Sequence, residues 1–228
     1  MRRLISMATG LRPRNAALAL ESLAMQNPYD DQTQLVVVRW APGVIATPPD
    51  AIELSLPGGS RADCANLALE TYTKQHGLPE VWFVLDDDMV LCLDALDRLE
   101  AILDAKQDIG LIGPWNDCAE RDRGRVIRSG SEVVQINDPS MPDFTVGGAG
   151  QTIPKRTLER LGRAYDPDWE WLEDYEFTKA VRAAGFQTAV ARSIFAVILR
   201  DDGITPDYRD LATARHQQLL AAKGLIVR

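Results

Sequence analysis

The stretch Val81-Trp82-Phe83-Val84-Leu85-Asp86-Asp87-Asp88 decides how the chain is read. Five consecutive apolar residues, all but one of them β-branched or aromatic, make a strand suited to burial on both faces, as in a parallel sheet. The strand runs without a spacer into three carboxylates. In an open α/β sheet ligands bind beyond the carboxyl ends of the strands, so the triplet falls where a site belongs. Residues i and i+2 of extended backbone point to one side, so Asp86 and Asp88 can converge on a cation while Asp87 faces away. Oxygen-only ligands suit Mg²⁺ or Mn²⁺, which commonly take one or two carboxylates plus substrate phosphates. The alternative is a solvated acidic turn.

Upstream of this strand, short apolar runs alternate with helix-period segments. Residues 4–8 read as a strand, and Pro13 suits an early helical position before Ala16, Leu20, Leu23 and Ala24 on one face. A second strand covers Leu35 to Val38 and a weaker third covers residues 52–56. Ser60 and Asp63 form a capping-box pair that opens a helix carrying Cys64, Leu67, Ala68 and Thr71 to a stop at Gly77. Downstream, Leu93, Leu96, Leu99 and Leu103 mark another helix and residues 109–113 another strand. The alternation predicts an α/β fold with a mostly parallel central sheet flanked by helices.

Beyond residue 113 the rhythm changes. Arg121, Arg123, Arg125 and Arg128 lie among turn residues, with a strand at residues 132–136 and a glycine-rich turn at Gly147-Gly148-Ala149-Gly150. Helices follow at residues 154–161 and from Glu173 to a stop at Gly185, then strands at 187–191 and 194–199 and a closing helix at 208–223. One domain spanning residues 1–228 is expected, with residues 1–113 as its regular half and 114–228 as a smaller, mixed half.

The 228 residues hold 33 acidic and 25 basic side chains, a net charge of -8. Nine of the acids sit in two places: the triplet, and residues 166–176 with Asp166, Asp168, Glu170, Glu173, Asp174 and Glu176. Elsewhere 24 acidic residues face 25 basic ones, so the acidity belongs to two clusters. The overall balance counts against a general grip on nucleic-acid backbone or on an anionic membrane. Cys64, Cys92 and Cys118 form no CxxC pair, and with only His76 and His216 there is neither a disulfide framework nor a zinc-finger pattern. No run approaches the ~20 apolar residues that span a bilayer, and no signal peptide is visible, so a soluble cytoplasmic protein is expected. With 46% hydrophobic and 25% charged residues, disorder is excluded.

The second cluster, Asp168-Trp169-Glu170-Trp171-Leu172-Glu173-Asp174-Tyr175-Glu176, mixes acids with aromatics. Acids in a first helical turn favour the positive end of the helix dipole, which accounts for Glu173, Asp174 and Glu176 without any chemistry. The functional reading is a general base among like charges that raise its pKa, with Trp169 and Trp171 as faces for a sugar or base. Both readings stay open on these residues.

Several segments, in order, resemble the glycosyltransferases of family 2 and their GT-A fold. Ala8-Thr9-Gly10-Leu11-Arg12-Pro13 is similar to the family's opening Pro-Thr-x-Asn-Arg-Pro turn, and residues 19–26 to the Leu-x-Ser-Leu-x-x-Gln helix after it. Gly59-Ser60-Arg61 through Asn66 resembles the Gly-x-x-x-Ala-Arg-Asn stretch. Residues 83–88 resemble the DxD strand. Residues 172–177, followed by 181–186, resemble the Glu-Asp helix with its Arg-x-x-Gly-aromatic ending.

The resemblance implies a sugar moved from a nucleotide-diphosphate donor to an acceptor hydroxyl with the help of Mn²⁺ or Mg²⁺. Asp88 would hold the metal directly, and Asp86 would contact the ribose or the metal's water, with Asp87 beside them in the donor site. Asp174 would take the acceptor's proton, giving inversion, and Glu173 would orient donor or acceptor. Thr9, Arg12, Arg61 and Asn66 would lie about the nucleotide, and Gly148 in the glycine-rich turn close to the donor sugar. Trp169 and Trp171 are the acceptor candidates. The family's base-reading Asp after the second strand is replaced by Arg39-Trp40, so the resemblance does not fix the base. Its late metal-binding His is replaced within Leu199-Arg200-Asp201-Asp202, where Asp201 or Asp202 could substitute or Arg200 could bind the diphosphate.

A sugar-phosphate nucleotidyltransferase would need a glycine-rich loop with a lysine near the N-terminus, and the first lysine is Lys74. A dinucleotide-binding dehydrogenase would need GxGxxG after the first strand. An inactive nucleotide-sugar-binding module is disfavoured by the intact Asp86, Asp88, Glu173 and Asp174. The acceptor stays open among saccharide, lipid-linked sugar, protein and modified nucleic acid; a glycosyltransferase of modified DNA bases could use Arg121 to Arg128 as a basic patch. Oligomeric state is not set by the sequence.

Overall fold

A computed structural model describes residues 2–10, 12–26, 32–41, 45–116, 124–137, 146, 150–168 and 173–199. Chain order is β1 (Arg3–Thr9), α1 (Pro13–Ala24), β2 (Thr33–Arg39), β3 (Ile52–Ser55), α2 (Arg61–His76), β4 (Val81–Asp86), β5 (Met89–Leu91), α3 (Ala95–Ala105), β6 (Ile109–Trp115), β7 (Gly124–Ser129), β8 (Glu132–Asn137), β9 (Gly150–Pro154), α4 (Lys155–Leu161), α5 (Glu173–Ala183) and β10 (Gln187–Ile198). The strands form one mixed sheet in the order β3-β2-β1-β4-β9-β6-β10-β8-β7, and β5 pairs with the end of β10.

The alternating burial of each strand explains the three layers. Ile5, Met7, Val37, Val81, Phe83 and Leu85 face α1 and α3, whereas Leu4, Val36, Val38, Trp82 and Val84 face α2, α4 and α5. Strands β1, β2 and β4 are therefore buried on both sides, which is why β4 reads as an unbroken apolar run. The α1 stripe of Ala16, Ala19, Leu20 and Leu23 covers one face. The α2 stripe of Ala65, Ala68, Leu69 and Tyr72 covers the other. The capping box at the start of α2 is formed: Asp63 N–H donates to Ser60 Oγ at 3.1 Å and Ser60 N–H donates to Asp63 Oδ2 at 3.0 Å.

Strands β3, β2, β1 and β4 run parallel, as the sequence pattern predicts. The surprise is β9, which lies antiparallel between β4 and β6. Its sequence Gly150-Gln151-Thr152-Ile153-Pro154 carries two polar residues and a proline, and so hides its nature, yet all five residues are buried. Buried Gln151 is satisfied by one backbone and one side-chain partner: its Nε2 donates to Val146 O at 2.7 Å, and its Oε1 accepts from the Tyr165 hydroxyl. Glycine is required at the tight crossing of β6 and β9, where a Cβ on Gly113 would come within 2.7 Å of the Gly150 carbonyl.

Strands β5 and β7 also escape the sequence pattern. The two late strands expected at 187–191 and 194–199 are one strand, β10, with its register broken between Ala191 and Phe195. That break is pinned by Arg98, which donates to both carboxylate oxygens of Glu132 and to Ser193 O at 2.8–2.9 Å. The closing helix expected at 208–223 lies outside the described residues, as does Cys118; Cys64 and Cys92 are free thiols. No helix among the described residues is long and apolar enough to cross a membrane.

Candidate active site

The chain leaves β1 toward β2 on one side, while β4 pairs with β1 on the other. That reversal opens a crevice at the carboxyl ends of β1 and β4. The Asp triplet lies in it. Asp86 ends β4, and Asp87 and Asp88 form the turn into β5. The turn is anchored through its backbone, since Leu199 N–H donates to Asp88 O at 2.7 Å. Asn15 Nδ2 on α1 in turn donates to Leu199 O at 3.3 Å.

The three carboxylates have three different partners. Asp87 is buried and accepts from the Gly10 N–H at 3.3 Å, bridging the crevice from β4 to the end of β1. Asp88 is ion-paired with Arg12, just ahead of α1. Asp86 is ion-paired at 2.5 Å with Arg61 Nε, on the first turn of α2. Burial pushes the Asp87 carboxyl up to about 6, with its acidic neighbours adding to the rise and Arg12 opposing it. Burial and the charge of Asp86 also raise Asp88, against the pull of Arg12. This is not a solvated acidic turn.

The second cluster reaches the same place through one guanidinium. Arg61 Nη1 donates to Glu173 Oε1 at 3.1 Å, so Arg61 joins the end of β4 to the start of α5. Burial opposes the charge of Arg61, but Asp86 and Glu173 outweigh it, and its pKa stands well above the ordinary arginine value. Glu173 is only 7% exposed, and burial pushes its carboxyl up to about 7 against the pull of Arg61, with Asp174 adding to the rise. Asp174, next along α5, is half-buried and accepts from the Tyr175 N–H at 2.7 Å.

Arg61 is propped from below by Tyr165, whose ring centroid lies 5.8 Å from the guanidinium carbon. Tyr165 packs edge-on against Trp82 at 5.7 Å and against Phe177 of α5 at 4.8 Å. The backbone of Tyr165 is clamped by Asn66, which donates through Nδ2 to Tyr165 O at 2.8 Å and accepts from Tyr165 N–H at 3.1 Å. Asn66 thus supports the site from α2, and its amide is engaged by the backbone. Tyr165 lies in no periodic segment, so nothing in the sequence marks it.

Thr9 ends β1; its hydroxyl is buried with no hydrogen-bond partner among the described residues, and its carbonyl accepts from the Trp40 N–H at 3.0 Å. The Trp40 indole lies so close against Gly10 that a Cβ there would come within 2.4 Å of a ring carbon. Gly148, Trp169 and Trp171 lie outside the described residues, as do Arg200, Asp201 and Asp202.

The structure thus brings together Arg12, Arg61, Asp86, Asp87, Asp88 and Glu173. Two carboxylates at one turn, each balanced by a guanidinium and raised in one case by the other's charge, have the donor chemistry for a divalent cation. Among the described residues no three His, Cys, Asp or Glu side chains converge as ligands. Two carboxylates from protein are what a Mg²⁺- or Mn²⁺-type ion commonly takes, its other positions going to further oxygens.

No protein-family model matches the chain, and no curated protein sequence does. Solved structures do. TarS of S. aureus superposes with a TM-score of 0.64 at 14% identity, over 97% of this chain and 42% of TarS. The mannosyltransferase PcManGT from Pyrobaculum calidifontis, solved with GDP-Man and Mn²⁺, gives 0.65 at 17% identity, over 100% of this chain and 65% of its own. GalNAc-T7, solved with UDP, GalNAc and Mn²⁺, gives 0.65 at 11% identity, over 96% of this chain and 48% of its own. The chain spans less than two thirds of the length of each. What the three share with it is the architecture around the crevice: this chain has the GT-A fold.

Proposed function

We propose that the protein is a nucleotide-sugar-dependent glycosyltransferase, transferring a sugar from a nucleoside-diphosphate donor to an acceptor hydroxyl. The observation that carries this reading is the junction made by Arg61, which links a phosphate-side acid, Asp86, to an acceptor-side acid, Glu173. The presence of GDP-Man with Mn²⁺ in one structural relative, and of UDP, GalNAc and Mn²⁺ in another, supports it. In this reading residues 1–113 serve the donor and 114–228 the acceptor.

Asp88 and Asp86 would hold Mn²⁺ or Mg²⁺, which when bound offsets the charge of the departing nucleoside diphosphate. The rest falls to side chains of the chain. Arg12 and Arg61 add positive charge beside the diphosphate. Asp174 takes the proton of the acceptor hydroxyl as that oxygen bonds to the anomeric carbon and the carbon–phosphate oxygen bond breaks, with inversion. Glu173, fixed by Arg61, orients the reacting groups. In this reading the nucleotide lies beside Thr9 and Trp40, and the family resemblance would put Gly148 near its sugar and Trp169 and Trp171 toward the acceptor.

The test is a screen of nucleotide-sugars with Mn²⁺ for slow donor hydrolysis and for a rise in melting temperature. A donor that both stabilises the protein and releases its nucleotide supports the reading. Stabilisation by a donor that never releases nucleotide, with any acceptor, identifies a binding module instead. Incorporation of a nucleoside monophosphate into a sugar phosphate would identify a nucleotidyltransferase.

A further inference from the structure

We propose that Arg12 is a built-in counter-cation for Asp88 that changes partners when the site is loaded: it holds the carboxylate in the donor-free protein and passes to the donor's diphosphate when a divalent ion takes Asp88. The proposal rests on the function proposed above and assigns Arg12 a role in coupling ion and donor.

Three observations carry it. The guanidinium and an ion compete for one group, because Arg12 Nη1 is paired with Asp88 Oδ2. The carboxylate cannot be left uncompensated, since its side chain is only 14% exposed and stands beside Asp86; breaking such a pair without replacement is strongly unfavourable. The two arginines also differ in how firmly they are held. Arg61 is bound by Asp86 and Glu173 and lies over Tyr165. Among the described residues Arg12 is ion-paired with Asp88 alone, with Asp87 within its field, and it reaches them from the segment ahead of α1. Arg61 is built to stay and Arg12 is able to leave.

The ligand count sets the order of events. The described residues offer the ion two carboxylates, which leaves it positions that diphosphate oxygens can fill. Ion and diphosphate then bind as a pair. The anion that can receive Arg12 arrives with the cation that displaces it. Mn²⁺ alone must break the Arg12–Asp88 pair without supplying an anion in its place, whereas Mn²⁺ with a nucleoside diphosphate supplies one. The two ligands are therefore positively linked, and each strengthens the other by the same factor.

The experiment measures Mn²⁺ affinity by the electron paramagnetic resonance of the free ion, with and without saturating UDP or GDP, in wild type, R12Q, R12K and R14Q. R12Q is expected to bind Mn²⁺ alone about tenfold more tightly than wild type, and the enhancement by nucleotide to shrink by about the same factor. R12K, which keeps a cation but not the fork, falls between the two and keeps the test standing if R12Q does not fold. Arg14 is an exposed cation two residues on; R14Q changes Mn²⁺ affinity less than about twofold if the effect is direct exchange rather than general charge. Mn²⁺ binding by R12Q no tighter than wild type, or an equal gain in R14Q, overturns the proposal. Either result alongside donor hydrolysis by wild type leaves the proposed function intact. Tighter Mn²⁺ binding by R12Q in a protein that hydrolyses no donor does the reverse.

Discussion

The carboxylates after β4 and those at the start of α5 carry like charge into one crevice, but they are held in different ways. Asp86, Asp87 and Asp88 lie at the end of β4 and on the turn after it, which the Leu199 N–H fastens at Asp88, and each has its own donor: Arg61, Gly10 N–H and Arg12. Glu173 and Asp174 lie on a first helical turn, where one carboxylate is buried against Arg61 and its neighbour is half-buried. A fixed turn rich in cationic partners suits binding of a cation and a phosphate. A buried acid lifted to about 7 beside a more accessible one suits handling a proton near neutrality. The difference teaches that the partners of an acid, more than its charge, indicate its work.

The sharpest way to break this comparison is D174N, which is expected to lower sugar transfer about a thousandfold while leaving nucleotide affinity within about twofold; transfer at the wild-type rate removes the base assignment. R61Q severs the link between the clusters and leaves Asp86 and Glu173 without their shared cation. It should cost about 3 kcal/mol in denaturant unfolding, and a cost near zero would mean that the clusters are independent. D88A should weaken Mn²⁺-dependent nucleotide binding about a hundredfold in calorimetry, with metal-free stability changed little or raised. N66A should cost about 1–2 kcal/mol through the clamped backbone of Tyr165, with nucleotide affinity unchanged; a selective loss of affinity would return Asn66 to the donor site.

The smallest effect is in pH dependence. Glu173 is raised above its ordinary value near 4.5, so the native state holds its proton where the unfolded chain has lost it. The stability this confers is full below about 4.5 and is lost as pH rises toward about 7. Asp87, raised to about 6, acts in the same sense. Melting temperatures in the presence of a chelator should therefore fall by a few degrees across that window, and E173Q should flatten the slope.

Much of the parallel half was legible because its signals are local. Strand β4 is an unbroken apolar run, α2 is announced by Ser60 and Asp63, and α1 by Pro13 and its apolar stripe. Even the polar residues of the α1 motif have a local cause that emerges only in three dimensions. Gln26 donates to Cys92 O and accepts from Ala95 N–H, each at 2.8 Å, capping α3 where Asp94 makes no side-chain cap. What could not be read was non-local. Strand β9 disguises itself because its polar groups find partners from other elements, and Tyr165 matters only because α2, β4 and α5 meet over it. The triplet could be placed at a strand end from sequence, but its pairing with Arg12 and Arg61 comes from helices on opposite faces of the sheet.

The position of β9 also has a bearing on how the chain is made. Strands β4 and β6 are separated by a gap that only residues 150–154 fill. A nascent chain that has emerged as far as β6 thus holds two hydrophobic strands that cannot complete their shared sheet. They must wait for a segment some forty residues further on. At a synthesis rate of about 5–20 residues per second, that interval is on the order of seconds. The central sheet closes late, across long sequence separations, which makes for slow folding and an exposed intermediate. Cutting the chain after residue 113 would freeze that intermediate rather than release a working nucleotide-binding module.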